Sequence, residues 1–392
     1  MTVSLWRRID RRPRVQTDVI VIGGGICGLS AGIELRSRGV GFLVLERGAV
    51  GSGASTRNAG FLMRGAAENY SLAIRDYGRT LARTVWRWTE ENLALLRRDG
   101  VEQLPSFAPR ASCLLALEPE EHAELQQSIG QMREDGFDVD WIDRGDDVVW
   151  RNARPLGGLI NPHDAVVNPA ELIAMLASRL RGNIREQQEV FEITPTDEGV
   201  RVGVADAVYV APRVLLCTNA YTASLVPQLA GAVTPRRGQM LAVHAPGVSL
   251  PFAYYANRGS EYFRQAGHET IVVGGCRTYH ADVEIGTEDV TTPLIQTALE
   301  RFAAAILGAN HRILARWAGA MGFSPDGLPL IGPIQGLPGA YFCGGFTGHG
   351  MSMARRSAAA AVAEMLDGGT TPFPLTRLDD GPIDPRSIAS PA

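Results

Sequence analysis

The stretch Asp18-Val-Ile-Val-Ile-Gly-Gly-Gly-Ile-Cys-Gly28 decides the fold. Asp18 to Ile22 is a short, β-branched, apolar run, the pattern of a parallel strand buried on both faces. Gly23, Gly25 and Gly28 form a GxGxxG. Residues Leu29 to Ser37 then follow a helical period, with Leu29, Ile33 and Leu35 near one face, and Gly39 ends the helix. Phe42 to Leu45 is a second apolar run, and Glu46 closes it. The spacing predicts a βαβ unit of about 30 residues. A lone GxGxxG is weak, but this one has a strand before it, a helix after it and an acid ending the next strand. Those are the elements a dinucleotide site needs. The first glycine permits the tight turn, the second the approach of a pyrophosphate, and the third close helix–strand packing. The helix N-terminus then turns its unpaired amides toward phosphate. Glu46 lies 18 residues beyond Gly28, placed to accept hydrogen bonds from a ribose diol. An acid there disfavours a 2′-phosphate and so argues against NADP.

The 392 residues allow two or three domains and a substantial core. A net charge of −4 argues against a nucleic-acid or anionic-lipid surface. No apolar run reaches membrane-spanning length, so no transmembrane segment is expected. Five scattered cysteines (Cys27, Cys113, Cys217, Cys276, Cys343) include no CxxC. Neither a metal site nor a disulfide framework is indicated, and a reduced, cytoplasmic location is expected. All 38 basic residues are arginine. Chemistry that needs a lysine amine, from Schiff bases to a P-loop, is therefore excluded.

Further along, Tyr70 to Arg98 reads as one long amphipathic helix. Its Trp86 and Trp88 point to opposite sides, so at most one is expected in the core. Pro169 to Leu180, Pro293 to Leu307 and the Ala-rich Met353 to Leu366 read as helices. Glu189 to Ile193, Val200 to Val204 and Ala207 to Val210 read as a small antiparallel meander. Val214 to Cys217 and Tyr341 to Cys343 read as buried strands, and strand-like runs fill Gly238 to His244, Glu261 to Gln265 and Thr270 to Val273. The tail from Thr370 is proline-rich and is expected to lie along the surface or fray. With no repeat or linker, two domains interleave in sequence.

The first motif alone leaves FAD and NAD open. Three later segments favour FAD. Gly51-Ser-Gly-Ala-Ser-Thr-Arg-Asn-Ala-Gly60, directly after the acid, is a loop of small, hydrogen-bonding residues suited to run between phosphate and a flavin edge. Thr218-Asn219-Ala220 ends a strand that returns to the same sheet. Gly344-Gly-Phe-Thr-Gly-His-Gly350 precedes a late helix and offers a second set of N-terminal amides, suited to the negative charge of a reduced flavin.

Taken together, DVIVIGGGICGLSAGIEL, LERGAVGSGASTRNAGF, PRRGQML and SPDGLPLIGP followed by GGFTGHGM resemble the D-amino-acid oxidase/sarcosine oxidase/glycine oxidase superfamily of FAD-dependent amine oxidoreductases. The GASTRNAG loop is most similar to the γ-glutamylputrescine oxidoreductase-like branch. The resemblance runs from about Thr17 to Leu366. It implies an α/β protein in which a Rossmann-like FAD-binding domain (14–80, 161–220 and 316–370) interleaves with an α+β substrate domain (81–160 and 221–315) built on an antiparallel sheet, with a tail at 371–392. It also implies a small-molecule amine substrate, hydride transfer from a C–N carbon to flavin N5, hydrolysis of the imine, and oxygen or a quinone- or dye-like acceptor.

Carried over by position, Gly23, Gly25, Gly28, Glu46 and Arg47 would hold the ADP half. Ser52, Ala54, Ser55, Arg57, Asn58, Ala59 and Gly60 would line pyrophosphate and flavin, with Thr218 and Asn219 at the neighbouring strand end. Val190 would meet the adenine, and Gly345, Thr347, Gly348, His349, Gly350 and Met351 would border the flavin pyrimidine. Three departures matter. Gly319 stands where sarcosine-oxidase relatives attach flavin through cysteine, so noncovalent FAD is expected. Val272 or Val273 stands where they place an oxygen-assisting lysine. Met321 stands where the carboxylate-binding arginine of D-amino-acid and glycine oxidases belongs.

Tyr262 and His349 are the catalytic candidates, although His349 also reads as a structural histidine. Tyr254, Tyr255, Tyr262, Arg264, Arg277 and Met321 are the substrate-binding candidates. Against these stand packing roles for the tyrosines and a solvated face for the arginines. Arg236 and Arg237 read as anchors of the domain junction. An NAD-dependent dehydrogenase and a non-catalytic flavoprotein subunit are the alternatives. The first leaves Gly344 to Gly350 unexplained.

Overall fold

The computed structural model describes residues 12–66 and 68–378. Its first sheet has six strands in the order Ile184–Arg185, Phe42–Leu45, Val19–Ile22, Arg213–Leu216, Ala340–Gly344 and Leu330–Pro333. The first five run parallel, and the last is antiparallel to its neighbour. All four residues of Val19–Ile22 and of Phe42–Leu45 are buried. Side chains alternate along a strand, so Val19 and Val21 enter one core and Ile20 and Ile22 another. The first core holds the helices Ile26–Ser37 and Gly350–Asp367, packed on each other through small residues. The second faces the four-stranded sheet in which Glu192–Thr196, Gly199–Gly203 and Val208–Ala211 form the expected meander, with Arg14–Gln16 added in parallel.

The largest sheet has eight strands, ordered Arg312–Phe323, Thr234–His244, Thr270–Gly275, Glu261–Gly267, Ala253–Ala256, Ser112–Ala116, Gly157–Asn161 and Asp140–Ile142. It is antiparallel except where Ala253–Ala256 meets Ser112–Ala116. One face buries Leu241, Tyr254, Phe263 and Val273 beneath the helix Pro293–Leu307. The other carries Met240, Tyr255, Tyr262, Val272 and Trp317, and packs on Ala59, Phe61 and Met63. Arg312–Phe323 is one continuous strand of this sheet, so a domain boundary at 316 falls inside it.

Four expectations change. The helix over 70–98 is two helices, Tyr70–Tyr77 and Arg79–Arg98, because Gly78 adopts φ +78 between them. Arg79–Arg98 also packs on Gly350–Asp367, within the first core, rather than with the eight-stranded sheet. Trp86 and Trp88 are both buried, because that helix is covered on two sides. Trp86 meets Tyr70 at 4.8 Å, while Trp88 meets Phe373 at 5.0 Å and donates to Ser357 Oγ. Phe373, 1% exposed, in turn anchors the start of the tail, and its carbonyl accepts from the Ile331 amide. The rest of the tail expectation, 379–392, lies outside the described residues. Among the described residues, no helix is long and apolar enough to cross a membrane.

Candidate active site

The first glycine loop is held by close backbone packing. Gly23 sits at φ +110, and a Cβ on Gly28 would stand 1.9 Å from the Gly23 carbonyl oxygen. Gly25 is the N-cap of Ile26–Ser37 and provides no side chain to cap it. Ser55 Oγ, from the following loop, accepts from the Ile26 amide at 2.9 Å. The helix end is thus left open toward the Ser52–Gly60 loop, as a pyrophosphate requires. Glu46 is 9% exposed, and its two carboxylate oxygens accept from the amides of Gly24 (2.7 Å) and Gly48 (2.8 Å). It therefore organises the loop itself, beside any contact with a ribose. Gly24 was not singled out in the sequence; a side chain there would meet Glu46 at 3.0 Å. The segment leading to Val190 runs beside this acid, with the Gln188 amide donating to the Glu46 carbonyl and Gln187 to that of Gly48. Arg47 stacks on the Tyr221 ring at 3.8 Å.

Within the Ser52–Gly60 loop, Asn58 ties the turn together. Its amide nitrogen donates to the carbonyls of Ala54 and Ser55, and its oxygen accepts from the Gly60 amide at 2.7 Å. Arg57 spans from the Ser52 carbonyl to that of Ala318 and pairs with Asp289 at 3.2 Å. The Trp317 indole donates back to the Arg57 carbonyl. Farther along the same strand, the Gly322 carbonyl accepts from the Thr347 amide at 2.9 Å. Asn219, at φ +42, accepts from the Gly345 amide through Oδ1, and Thr218 meets Thr222 through their hydroxyls. The strand Arg312–Phe323 is in this way stapled to both loops. Gly350 begins the second helix, which also lacks a side-chain cap. Met351 is buried there, its carbonyl held by Asn92. Two helix ends whose own N-cap residues provide no side-chain cap, a backbone-anchored acid and a small-residue loop between them fit a flavin dinucleotide, with the second helix end available for its ring system.

The large sheet sorts the substrate candidates by face. Tyr262 meets Phe61 edge-on at 5.9 Å and reaches Met240 Sδ. Burial pushes its phenol up to about 12, so it stays neutral at physiological pH. Tyr255 lies beside it, 5.4 Å from Phe61, its phenol also pushed up by burial. Met321 lies over Gly238 and 3.7 Å from the Cβ position of Gly348, which brings the sheet to the second glycine loop. Gly274 leaves room for Tyr262 and Met240. Val272 faces the same way, whereas Val273 lies in the opposite core.

Two candidates do not belong with these. Tyr254 points to the other face, where it is fully buried, stacks on Phe263 at 5.1 Å and donates to Asp147. Its neighbour Tyr255 faces the loops because successive residues on a strand alternate. Arg264 is 6% exposed rather than solvated. Its guanidinium donates to the carbonyls of Ala59, Val167 and Gln265, locking the loop to the sheet. Burial, with Arg110 nearby, lowers its pKa to about 10. Arg277 lies over the Phe323 ring at 4.8 Å. His349 turns Nδ1 to the Thr347 carbonyl at 3.1 Å, and burial lowers its pKa. Arg236 and Arg237 separate: Arg237 is buried against Glu284 on one face, while Arg236 is on the Met321 side. Nor are the cysteines all apart. Cys27 and Cys217 lie 3.4 Å apart sulfur to sulfur, with Cys27 Sγ on the Cys343 carbonyl, because the three strand ends around Gly23 converge. Among the described residues, no group of histidine, cysteine and acidic side chains is arranged to hold a metal.

The chain matches the FAD dependent oxidoreductase family (DAO) over residues 18–365. It is 26% identical over 378 residues to the glycine oxidase of Geobacillus kaustophilus, covering 92% of this chain and 97% of that protein. It is 25% identical over 378 residues to the gamma-glutamylputrescine oxidoreductase of Escherichia coli, covering 92% and 85%. The crystal structure of the G. kaustophilus glycine oxidase superimposes with a TM-score of 0.77 at 22% identity, over 93% of this chain and 98% of that one. That of the L-proline dehydrogenase from P. horikoshii superimposes with a TM-score of 0.73 at 21% identity, over 96% and 98%. Loops, helix ends and family agree, and the chain belongs to the FAD-dependent oxidoreductase family, with FAD as its cofactor.

Proposed function

We propose that this enzyme oxidises the C–N bond of a primary or secondary amine or amino acid. The observation that carries the reading is the stapling of Arg312–Phe323 to both loops, which lays the face bearing Tyr255, Tyr262 and Met321 over the cofactor cradle. Bound there, FAD supplies the acceptor for a hydride from the substrate carbon, and the imine then hydrolyses. The chain's task is to exclude water, to orient the C–N carbon and to favour the uncharged amine. The aromatic, mostly apolar face of Phe61, Tyr255, Tyr262, Met240 and Trp317 suits all three. A neutral Tyr262 offers its phenol as a hydrogen-bond partner for the amine, and His349 keeps a structural role. Similarity to enzymes named for glycine and for gamma-glutamylputrescine supports this substrate class.

Met321 disfavours a carboxylate directly on the reacting carbon, because an anion desolvated beside a thioether gains nothing in return. Simple glycine and D-alanine are therefore expected to be poor substrates. With Val272 on the cofactor face and no lysine in the chain, oxygen is expected to reoxidise the flavin more slowly than a quinone or dye. Anaerobic mixing of the holoenzyme with a panel of amines, followed by oxygen or dye, tests both. Faster bleaching by longer-chain amines than by glycine is the expected result. Failure of every amine to bleach the flavin would refute the reading, and rapid reduction by glycine would refute the role given to Met321.

A further inference from the structure

Among the described residues, two arginines beside this face, Arg236 and Arg277, have no ion pair to a carboxylate. Arg236 is in register with Met321 across the pair Thr234–His244 and Arg312–Phe323. Arg277 opens the short turn Arg277–His280 after Thr270–Gly275, with its guanidinium over Phe323. Phe323 follows Met321 by two residues, so it shares that face, and it bridges to Phe346 of the second glycine loop. Both arginines therefore border the edge where sheet and loop meet.

Among the described residues, three buried arginines are each satisfied by partners on the chain. Arg355 pairs with Asp99 at 2.6 Å, Arg237 with Glu284 at 3.0 Å, and Arg264 rests on three carbonyls. Arg236 makes one long bond, 3.5 Å, to the Ala281 carbonyl. Among the described residues, no hydrogen bond or ion pair reaches the Arg277 guanidinium; its contact is the Phe323 ring. Glu284, whose field reaches Arg277, is 0% exposed and already engaged by Arg237, Gln239 and Thr292. Burial and the neighbouring Arg236 charge both disfavour the protonated form of Arg277. Two partly buried like charges with no ion-pair partner of their own are unfavourable unless an anion joins them.

We infer that Arg236 and Arg277 form the anion-binding wall of the substrate site and hold a carboxylate of the amine. This rests on the amine-oxidation reading above. Met321 closes the place beside Gly238 and Gly348 with an apolar group, and the cationic function passes to the next strand and to the turn beyond the sheet. The substrate class this selects is an amine whose carboxylate lies several bonds from the reacting C–N carbon. Guanidinium is suited to that task because its planar fork meets both carboxylate oxygens.

The test uses valerate, a carboxylate with no amine to oxidise, titrated into the FAD-loaded enzyme by calorimetry. Valerate is expected to bind the wild type, more weakly as salt rises, and about 10- to 100-fold more weakly in Arg236→Gln and Arg277→Gln. Arg277→Lys is expected to recover part of the loss. Because each Gln variant removes one of two repelling charges, it is expected to melt no lower than wild type without ligand. Valerate should raise the melting temperature of the wild type alone. In parallel, the kcat/KM of δ-aminovalerate relative to n-pentylamine should fall toward one in both variants. Unchanged valerate affinity in both variants, or no valerate binding by the wild type, overturns the inference even if amines reduce the flavin. Loss of valerate binding in the variants while no amine reduces the flavin upholds the anion site and overturns the amine reading instead.

Discussion

Glu46→Ala tests the cofactor cradle at its most constrained point. The two carboxylate oxygens accept from Gly24 and Gly48 at 2.7 and 2.8 Å, in a side chain only 9% exposed. A hydrogen bond to a charged group contributes about 1.5–3 kcal/mol, and alanine would leave both amides without their partner. Even at the lower end, the two bonds sum to about 3 kcal/mol. Part of this loss appears without any cofactor, because both bonds lie within the protein. The apoprotein of Glu46→Ala should therefore melt below wild type. Its FAD affinity should fall as well, by about 10- to 100-fold, if a separate Glu46–ribose bond worth about 1.5–3 kcal/mol is lost from the bound state. Glu46→Gln retains one carbonyl acceptor and should fall between the two. Thermal unfolding of the apoprotein and FAD titration by fluorescence quenching measure the two effects separately. An apoprotein that melts with wild type would refute the backbone-anchoring role. Full FAD retention on dilution would refute the cofactor role.

Gly319, whose Cβ position lies 3.0 Å from Arg57 Cβ, offers no thiol. FAD should therefore leave with the supernatant on acid precipitation, and colour kept in the pellet would show a covalent link through another residue. Asp164 is buried between Ser112 Oγ at 2.6 Å and the Arg64 amide at 2.9 Å, and burial raises its pKa to about 7. The unfolded chain releases that proton near about pH 4 and the folded chain near 7, so this group's stability contribution is complete below the first value and is lost as pH rises through the second. Asp164→Asn should flatten the slope between them and raise stability in mildly alkaline buffer, as read from urea unfolding across pH; an unchanged slope would refute the assignment.

The nucleotide half of this protein was legible because its signals are local. A buried strand, three spaced glycines, a helix and an acid occupy one short stretch of chain, and the hydrogen bonds of Glu46 run to residues 22 positions back and 2 ahead. The later loops were legible as motifs for a similar reason, since small residues and helix starts are visible in sequence. Sheet register decided the rest. Tyr254 and Tyr255 are adjacent and of one type, yet they face different cores because a strand alternates its side chains. Arg264 and Arg277 both follow apolar strand positions, yet one is held by carbonyls from 97 and 205 residues away while the other meets an aromatic ring. Arg236 reads as a junction residue until its strand is paired with the one carrying Met321. Trp86 and Trp88 could share the core only once the preceding helix covered one side of theirs and Phe373, far along the chain, covered the other. Local spacing determined where a dinucleotide belongs, because backbone amides and turns are made by neighbours. Tertiary structure decided which side chains meet the substrate, because strand pairing across long loops determines which face each presents.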